Sequence, residues 1–191
     1  MSTPLTEGEK ERLLRIARQS IEHAARGKKP PLIEPESLTP ALREKGASFV
    51  TLTIHGNLRG CIGALEAYQS LAEDVREHAV SAAMEDPRFP PVSEAELSRI
   101  HIEVSRLTPP RELAYSTSDE LPRKLRPHVD GVILKHGFRK ATFLPQVWEK
   151  IPDPVEFLEQ LCRKMGERPN LWREAKLQVY TYRVEEFHEL N

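Results

Sequence analysis

The sequence is poor in cysteine and in aromatic residues, and it has no long hydrophobic run. Its two cysteines, Cys61 and Cys162, are far apart and lack any C-x-x-C pairing, which argues against a structural zinc site and suits a reducing compartment. No window approaches the roughly 18 apolar residues that a membrane span needs, and the first residues are too polar and acidic for a signal peptide. We therefore expect a cytoplasmic protein.

The chain also lacks an excess of charge of either sign. The chain has 28 Lys and Arg against 29 Asp and Glu, a formal net charge of −1. Such a balance gives no overall field that would attract nucleic acid or an anionic membrane, so nucleic-acid binding is not expected unless a local basic patch provides it. At 191 residues, the chain is expected to form one domain over residues 1–191, with at most an appended lobe.

Cofactor signals are likewise lacking, but structural signals are clear. The chain has no Walker loop, no G-x-G-x-x-G and no H-E-x-x-H, so no cofactor is evident. N-cap residues and apolar periodicity predict three helices: from Thr6 to about Gly27, from Ser70 to near Met84, and from Asp153 to Gly166. Strand patterns cover residues 48–55, 58–63, 99–107, 131–135, 139–144 and 177–184. With a proline-rich loop over 29–40, this order predicts an α+β fold with a largely antiparallel or mixed sheet.

Cys61 is the sharpest chemical feature, because it lies in a hairpin between two glycines. Gly60 and Gly63 remove Cβ crowding near the thiol, so that backbone amides are expected to face a bound group. Arg59 is expected to lower the thiol pKa if its guanidinium folds back. The alternative is a small buried residue, with the glycines serving turn geometry alone.

A second candidate is the polar face of the strand over residues 99–107. Strand alternation places His101, Glu103 and Ser105 on one face, which suits a general base beside an orienting carboxylate. A metal pair is the weaker interpretation, because no third ligand is visible. The alternative is a face that only contacts solvent.

Two further groups have competing interpretations. In the segment Asp86-Pro-Arg88-Phe89, Arg88 either binds a carboxylate or phosphate, or pairs with Asp86 to fix the loop. Asp74 and His78 share a helix face, which predicts a solvated surface rather than a metal site. Cys162 and the tryptophans Trp148 and Trp172 are expected in the core.

Several of these segments together resemble the AMMECR-one domain family, whose prokaryotic members are also called AmmeMemoRadiSam system protein A. The likeness runs from about residue 10 to 187, and the hexapeptide LRGCIG at 58–63 is its most specific part. The segments that carry it are Phe49–Leu52, the hexapeptide, Ala82-Ala83 with Asp86 and Arg88-Phe89, Glu96-Leu97, Thr142–Trp148 and Lys164.

The resemblance implies a fold, partners and motif positions, but no reaction. The implied fold has a larger lobe with an antiparallel sheet flanked by helices, a smaller second lobe, and a cleft between them near the hexapeptide. The implied partners are a Memo-family protein and a radical S-adenosylmethionine protein. The motif positions are Arg59, Gly60, Cys61, Gly63, Asp86, Arg88, Phe89 and Lys164. Where relatives often have a small residue after this lysine, the chain has Met165.

Three hypotheses follow. In the first, the protein is an enzyme or enzyme component in which Cys61 is the nucleophile or acid, Arg59 lowers its pKa and His101 or Glu103 is the base. In that hypothesis Arg88 or Lys164 binds an anionic group of a small molecule or macromolecule. In the second, it is a non-catalytic partner of the Memo-type or radical protein. The third, RNA binding, depends only on the local basic stretches 123–126 and 135–140.

Overall fold

The computed structural model describes residues 3–190 and divides the chain into two compact units. The first unit comprises residues 1–107 and 185–191, and the second comprises 108–184. The helices are α1 (Glu7–Ala25), α2 (Pro40–Arg43), α3 (Leu71–Met84), α4 (Glu120–Lys124), α5 (Pro154–Lys164) and α6 (Leu171–Glu174). The strands are β1 (Ala47–Ile54), β2 (Asn57–Gly63), β3 (Ile100–Leu107), β4 (Arg111–Glu112), β5 (Gly131–His136), β6 (Arg139–Phe143), β7 (Gln178–Tyr182) and β8 (Val184–His188).

The first unit packs α1 and α3 against one face of a four-stranded sheet, sheet A, in the order β2-β1-β3-β8. Thr6 is the N-cap of α1, as expected, and forms a capping box with Glu9. Alternate residues of the central strands β1 and β3 enter the core, and the residues between them lie on the opposite face. The core residues of these two strands are Val50, Leu52, Ile100, Ile102 and Val104. Sheet A therefore has one apolar face and one face on which polar side chains gather.

The strand patterns over 48–55 and 58–63 leave Gly56-Asn57 as the expected turn, but the hairpin that carries Cys61 turns one residue earlier. The turn is His55-Gly56, with φ of 51° and 78°, rather than Gly56-Asn57. Both central residues lie in the left-handed region, as a two-residue hairpin turn of this hand requires. His55 occupies a conformation that few residue types other than glycine adopt, so the sequence pattern pointed to the wrong pair.

The second unit contains sheet B, in the order β4-β7-β5-β6, with its own core. Trp148 stacks on Phe157 with ring centroids 3.7 Å apart, and its indole nitrogen donates to the carbonyl of Asp130 at 2.7 Å. Trp172 and Cys162 are buried in the same core, as predicted. Burial raises the pKa of the Cys162 thiol, so this cysteine is an unreactive packing residue.

The last predicted strand, 177–184, is wrong as a single element. The chain forms β7 in sheet B, breaks at Arg183, and forms β8 in sheet A. At the break, the backbone nitrogen of Thr108 donates to the carbonyl of Arg183, and the Thr108 hydroxyl accepts from the nitrogen of Arg183 at 2.8 Å. Alternation predicts extended backbone but does not show which sheet supplies the neighbours, so the change of sheet was invisible in the sequence.

The predicted α+β class is confirmed, with two antiparallel sheets flanked by helices. Within residues 3–190, no helix is long and apolar enough to cross a membrane. The single domain with a cleft between two lobes stays a prediction.

Candidate functional site

Cys61 lies on β2, the edge strand of sheet A, and its backbone is held by the segment that follows α3. The Asp86 carboxylate accepts a hydrogen bond from the Cys61 nitrogen at 2.8 Å. The Arg88 guanidinium donates to the Cys61 carbonyl at 3.1 Å. One donor and one acceptor thus take the place of a neighbouring strand at this position, which covers an otherwise open sheet edge.

The Asp86–Arg88 ion pair that provides these groups is close and asymmetric in its exposure. Arg88 Nε donates to Oδ1 at 2.9 Å and Nη2 to Oδ2 at 2.6 Å, while the Asp86 side chain is 2% exposed and that of Arg88 53%. The Arg88 side chain, together with the backbone N–H groups of Cys61 and Arg88, holds the pKa of Asp86 far below its usual range. Of the two interpretations of this loop, the internal pair is the one observed, and it leaves half of the guanidinium facing solvent.

The thiol itself has a hydrogen-bond donor and a cation close by. Thr51 Oγ1 donates to Cys61 Sγ at 3.3 Å. The Arg88 guanidinium lies 3.1 Å from the carbonyl oxygen of Cys61, and its pKa is raised chiefly by Asp86 and to a smaller extent by Cys61. Thr51 was missed by sequence reasoning, because only the strand register of β1 against β2 shows that it faces Cys61.

The same register brings one predicted carboxylate into line with the thiol. Thr51 is opposite Cys61 on one side and Glu103 on the other, so the three residues form one row across β2, β1 and β3. We call these three residues the thiol row. The Glu103 side chain is half-buried, and its carboxylate makes no hydrogen bond or ion pair with other described residues. Directly opposite residues of a sheet lie about 5 Å apart, so the Thr51 side chain stands between the thiol and the carboxylate.

Arg59 does not fold back toward the thiol, so the expected source of positive charge is wrong. The register shifts between Leu52 and Thr53, which makes Arg59 the extra residue of a β-bulge and redirects its side chain. Its guanidinium donates to the Glu96 carboxylate at 2.7 and 3.3 Å. Arg59 Nη1 is buried and has no hydrogen-bond partner among the described residues. Arg88, not Arg59, is the cation near Cys61.

Glu96 is the half-buried partner of Arg59. The Arg59 side chain, followed by the backbone nitrogen of Ser93, lowers the pKa of Glu96 to about 2. The side chains of Arg59 and Glu96 are 13% and 19% exposed, so water screens their attraction only weakly. This pair joins β2 to the segment before β3.

The two glycines of the hexapeptide have packing roles, which corrects the expectation of open backbone near the thiol. A Cβ on Gly60 would lie 2.1 Å from the carbonyl oxygen of Ala82 in α3. A Cβ on Gly63 would lie 2.4 Å from the ring of Phe49 and from the carbonyl oxygen of Ser48. Other protein atoms therefore fill the space where a side chain would lie at each glycine. The Cys61 amide already donates a hydrogen bond to Asp86.

His101 shares the face of Glu103 but is engaged elsewhere. Its Nε2 is 2.7 Å from the carbonyl oxygen of Glu189, and its ring centroid is 5.6 Å from that of His188. It lines a cavity of about 710 Å³ between α1 and the ends of β3 and β8, a cavity whose lining does not include Cys61. Ser105 is 2% exposed, so this end of the face is not solvated.

Asp74 and His78 are buried, not solvated as predicted. The Ser48 hydroxyl donates to Asp74 Oδ2 at 2.6 Å, and His78 Nδ1 lies 3.1 Å from the same oxygen. The Asp74 side chain is fully buried, and its Oδ1 has no partner among the described residues. Helical spacing showed that the two residues share one face of α3, but it did not show whether that face points to solvent or to the core. In the structure α3 turns this face toward β1.

Lys164, another motif position, belongs to the second unit. Its amine donates to the carbonyl of Thr142 at 2.9 Å and lies 5.1 Å from the ring centroid of Phe143. Both contacts join the end of α5 to β6. Through these contacts Lys164 has a structural role, in which it links α5 to sheet B.

Comparison with known proteins agrees with this arrangement of segments. The family model AMMECR1 matches residues 14–187. The chain belongs to the AMMECR1 family. A relative from Methanothermobacter thermautotrophicus is 41% identical, with 97% of each chain covered. Another from Thermococcus onnurineus is 42% identical over 93% of this chain and 88% of its own.

A solved structure supports the fold of this AMMECR1 chain. The crystal structure of the uncharacterized protein PH0010 from Pyrococcus horikoshii is similar, with a TM-score of 0.85 and 36% identity. The match covers 97% of this chain and 93% of that one. The resemblance inferred from the hexapeptide and its companion segments is thus confirmed at the level of family and fold.

Replacing Gly60 by alanine is expected to destabilise the protein by about 2–3 kcal/mol or more, because the new Cβ meets a backbone carbonyl that cannot move alone. Urea unfolding of the variant and the parent measures this difference. Gly8→Ala is the matched control, since a Cβ there has no atom within 4 Å and alanine favours a helix. Equal unfolding free energies for Gly60→Ala and the parent would contradict the packing role.

The Arg59–Glu96 pair predicts a pH dependence of stability. Because the pKa of folded Glu96 is lowered to about 2 from 4.5, its contribution is complete above pH 4.5 and is lost as pH falls toward 2. At neutral pH it amounts to about 3 kcal/mol. The difference in unfolding free energy between the parent and Glu96→Gln should therefore be constant near neutrality and shrink below pH 4.5.

The control for this series is Glu94→Gln, two residues away. Glu94 is 63% exposed and makes only a 3.4 Å contact with Arg26, so its replacement should have a small effect at every pH. A Glu96→Gln difference that stays the same at pH 7 and pH 3 would show that the ion pair does not stabilise the fold.

Proposed function

We propose that the protein is an enzyme, or a component of one, that uses the Cys61 thiol on the anionic group of a small molecule or macromolecule. The observation that supports this proposal is the environment of the sulfur. A half-buried thiol accepts a hydrogen bond from Thr51 and lies near the half-exposed Arg88 guanidinium. A hydroxyl donor and a fixed cation are the groups that favour a thiolate and an incoming anion.

Each member of the site has a distinct role in this proposal. Cys61 is the nucleophile or acid, and the Thr51 hydroxyl donates a hydrogen bond to its sulfur. Arg88 binds the anionic group through the exposed part of its guanidinium, while Asp86 orients it. Glu103, at the far end of the thiol row, exchanges a proton with the bound substrate rather than with the thiol, since its carboxylate has no partner among the described residues. Arg59 and Lys164 act in packing and ion pairing.

A second candidate function is that of a non-catalytic partner. It is favoured by the finding that Gly60, Gly63 and the Cys61 amide all have structural explanations. In either function we propose a Memo-family protein and a radical S-adenosylmethionine protein as partners, on the family resemblance. We also propose a cytoplasmic location, where the two free cysteines would stay reduced.

Alkylation by iodoacetamide tests the thiol environment. In the native protein Cys61 should be labelled at least about tenfold faster than Cys162. Burial keeps the reagent away from the Cys162 thiol and raises the pKa of that thiol. Thr51→Val and Arg88→Gln should each slow Cys61 labelling severalfold at neutral pH, because each removes a group that stabilises the thiolate. Peptide mass mapping assigns the modified sites.

The chain offers a close control for the arginine variant. The Arg126–Asp130 pair in the second unit has the same exposures as Arg88–Asp86, 53% and 2%. Arg126→Gln should therefore cost similar stability without changing the Cys61 labelling rate. Equal slowing by both arginine variants, or slow labelling of both thiols until unfolding, would refute an activated site at Cys61.

Complementation of a deletion strain separates the two functions. If Cys61 is catalytic, Cys61→Ala and Cys61→Ser should both fail to restore the deletion phenotype, although both proteins fold. If the chain acts only as a partner, both variants should restore it, since neither disturbs the backbone contacts to Asp86 and Arg88. Circular dichroism melting of the purified variants confirms that they fold.

A further inference from the structure

A cavity at one end of sheet A takes no part in the proposed chemistry of Cys61. Its volume is about 710 Å³, which is within the range of pockets that hold small molecules. One wall is a face of α1, and the floor consists of residues 98–101, which lead into β3, and residues 187–190 at the end of β8. The whole lining belongs to the first unit, so this unit forms the cavity by itself.

The wall on α1 is a second stripe of the helix, separate from the stripe that enters the core. The core stripe includes Leu13, Ala17 and Ile21. Positions 7, 11, 14 and 18 line the cavity and follow one another at steps of three and four residues, which is the spacing of one helix face. Core packing therefore does not account for the charged residues on this second stripe.

Arg18 holds the base of the cavity in place. Its Nε donates to the Glu189 carboxylate at 2.9 Å, its Nη1 to the carbonyl of Leu97 at 3.0 Å, and its Nη2 to the carbonyl of Ile100 at 2.7 Å. Glu189 also accepts from the backbone nitrogen of Ile102 at 3.1 Å. These bonds fix α1 to β3 and to the end of β8, so the walls are held in position by the fold itself.

Two other arginines of the lining have no such structural role. Arg15 on α1 and Arg99, just before β3, are both exposed. Neither makes a hydrogen bond or ion pair with any other residue in the range 3–190. Two different segments around the cavity therefore each contribute an unpaired guanidinium.

The acidic residues of the lining are mostly paired. Glu7 lies 2.8 Å from the Lys10 amine, and Glu189 forms an ion pair with Arg18. Glu11 is the one lining carboxylate without a partner among the residues that the structure describes. The unpaired charge of the lining is thus two positive groups against one negative group, which favours an anionic ligand.

The cavity also offers imidazole and apolar groups. His101 and His188 both line it, with ring centroids 5.6 Å apart. Leu14 is half-buried and the Leu190 side chain is 91% exposed, so part of each is available to an organic group. Covering an exposed leucine with a ligand removes apolar surface from water, which contributes favourable binding free energy.

We propose that this cavity binds a small organic molecule that carries a phosphate group. Arg15 and Arg99 hold the phosphate, because guanidinium groups present pairs of N–H donors that match its oxygens. A phosphate monoester carries about 1.5 to 2 negative charges at pH 7, against one for a carboxylate, so it gains more from two guanidiniums. Leu14 and Leu190 contact the apolar part. The lining does not include Cys61, so this proposal holds or fails independently of the proposed function.

The test is isothermal titration calorimetry of the full chain with phenyl phosphate at pH 7.5 and low salt. We expect saturable binding by the parent, and a loss of affinity of roughly tenfold or more for Arg15→Gln and for Arg99→Gln, because each removes a charge-assisted hydrogen bond. Leu190→Ala should weaken phenyl phosphate binding severalfold and leave the affinity for inorganic phosphate unchanged, since that ion has no apolar part.

Two control variants match these changes. Arg43→Gln removes an arginine of α2 that is also exposed and without a partner among residues 3–190, but that lies outside the cavity lining. Leu32→Ala removes another exposed leucine of the first unit, at 83% exposure. Neither should change the affinity by more than about twofold. All these side chains except the altered atoms stay on the surface, so thermal melting of each variant should match that of the parent.

Three results would overturn the proposal. One is the absence of saturable binding at phenyl phosphate concentrations up to about 10 mM. Another is an affinity that neither cavity arginine variant lowers, or that Arg43→Gln lowers equally, since the anion would then bind elsewhere. The third is binding of benzoate as tight as that of phenyl phosphate, which would show that the cavity recognises carboxylates instead.

Discussion

Asp86 brings a buried carboxylate against the open edge of β2, and the geometry of the candidate site depends on this contact. The carboxylate accepts from the Cys61 nitrogen and orients Arg88, whose guanidinium returns a hydrogen bond to the Cys61 carbonyl. An isolated buried carboxylate would be costly, so the charge of Arg88 is needed as much as its hydrogen bonds. The same pair thus completes the sheet edge and places a cation beside the thiol.

The side chains around this contact divide between packing and chemistry. Gly60 and Gly63 let α3 and the ring of Phe49 approach the strand, and the bulge at Arg59 directs that side chain to Glu96. These features hold β2 in place, and the half-buried sulfur of Cys61 is the part of the hexapeptide to which we assign the proposed chemistry. Thr51 then connects that sulfur to the row that ends at Glu103.

The two units differ in the surfaces that they present. The first has 14 Lys and Arg against 19 Asp and Glu and carries the thiol row, and the second has 14 against 10 and carries the fully exposed side chain of Phe138. A net charge close to zero arises here from two opposite charges rather than from neutral surfaces. Each unit has its own sheet and its own core, so each surface is supported by a separate set of packed residues.

Local patterns in the sequence determined the helices at Thr6, Ser70 and Asp153, most strands, the burial of Cys162 and the family. Tertiary structure decided the rest: the β-bulge that turns Arg59 away, the burial of Asp74 and His78, the change of sheet at Arg183 and the position of Thr51 beside Cys61. The physical reason is the separation along the chain of the residues that each feature depends on. Caps and alternation depend on residues within one turn or two positions, whereas register and burial depend on segments tens of residues apart that meet only after folding.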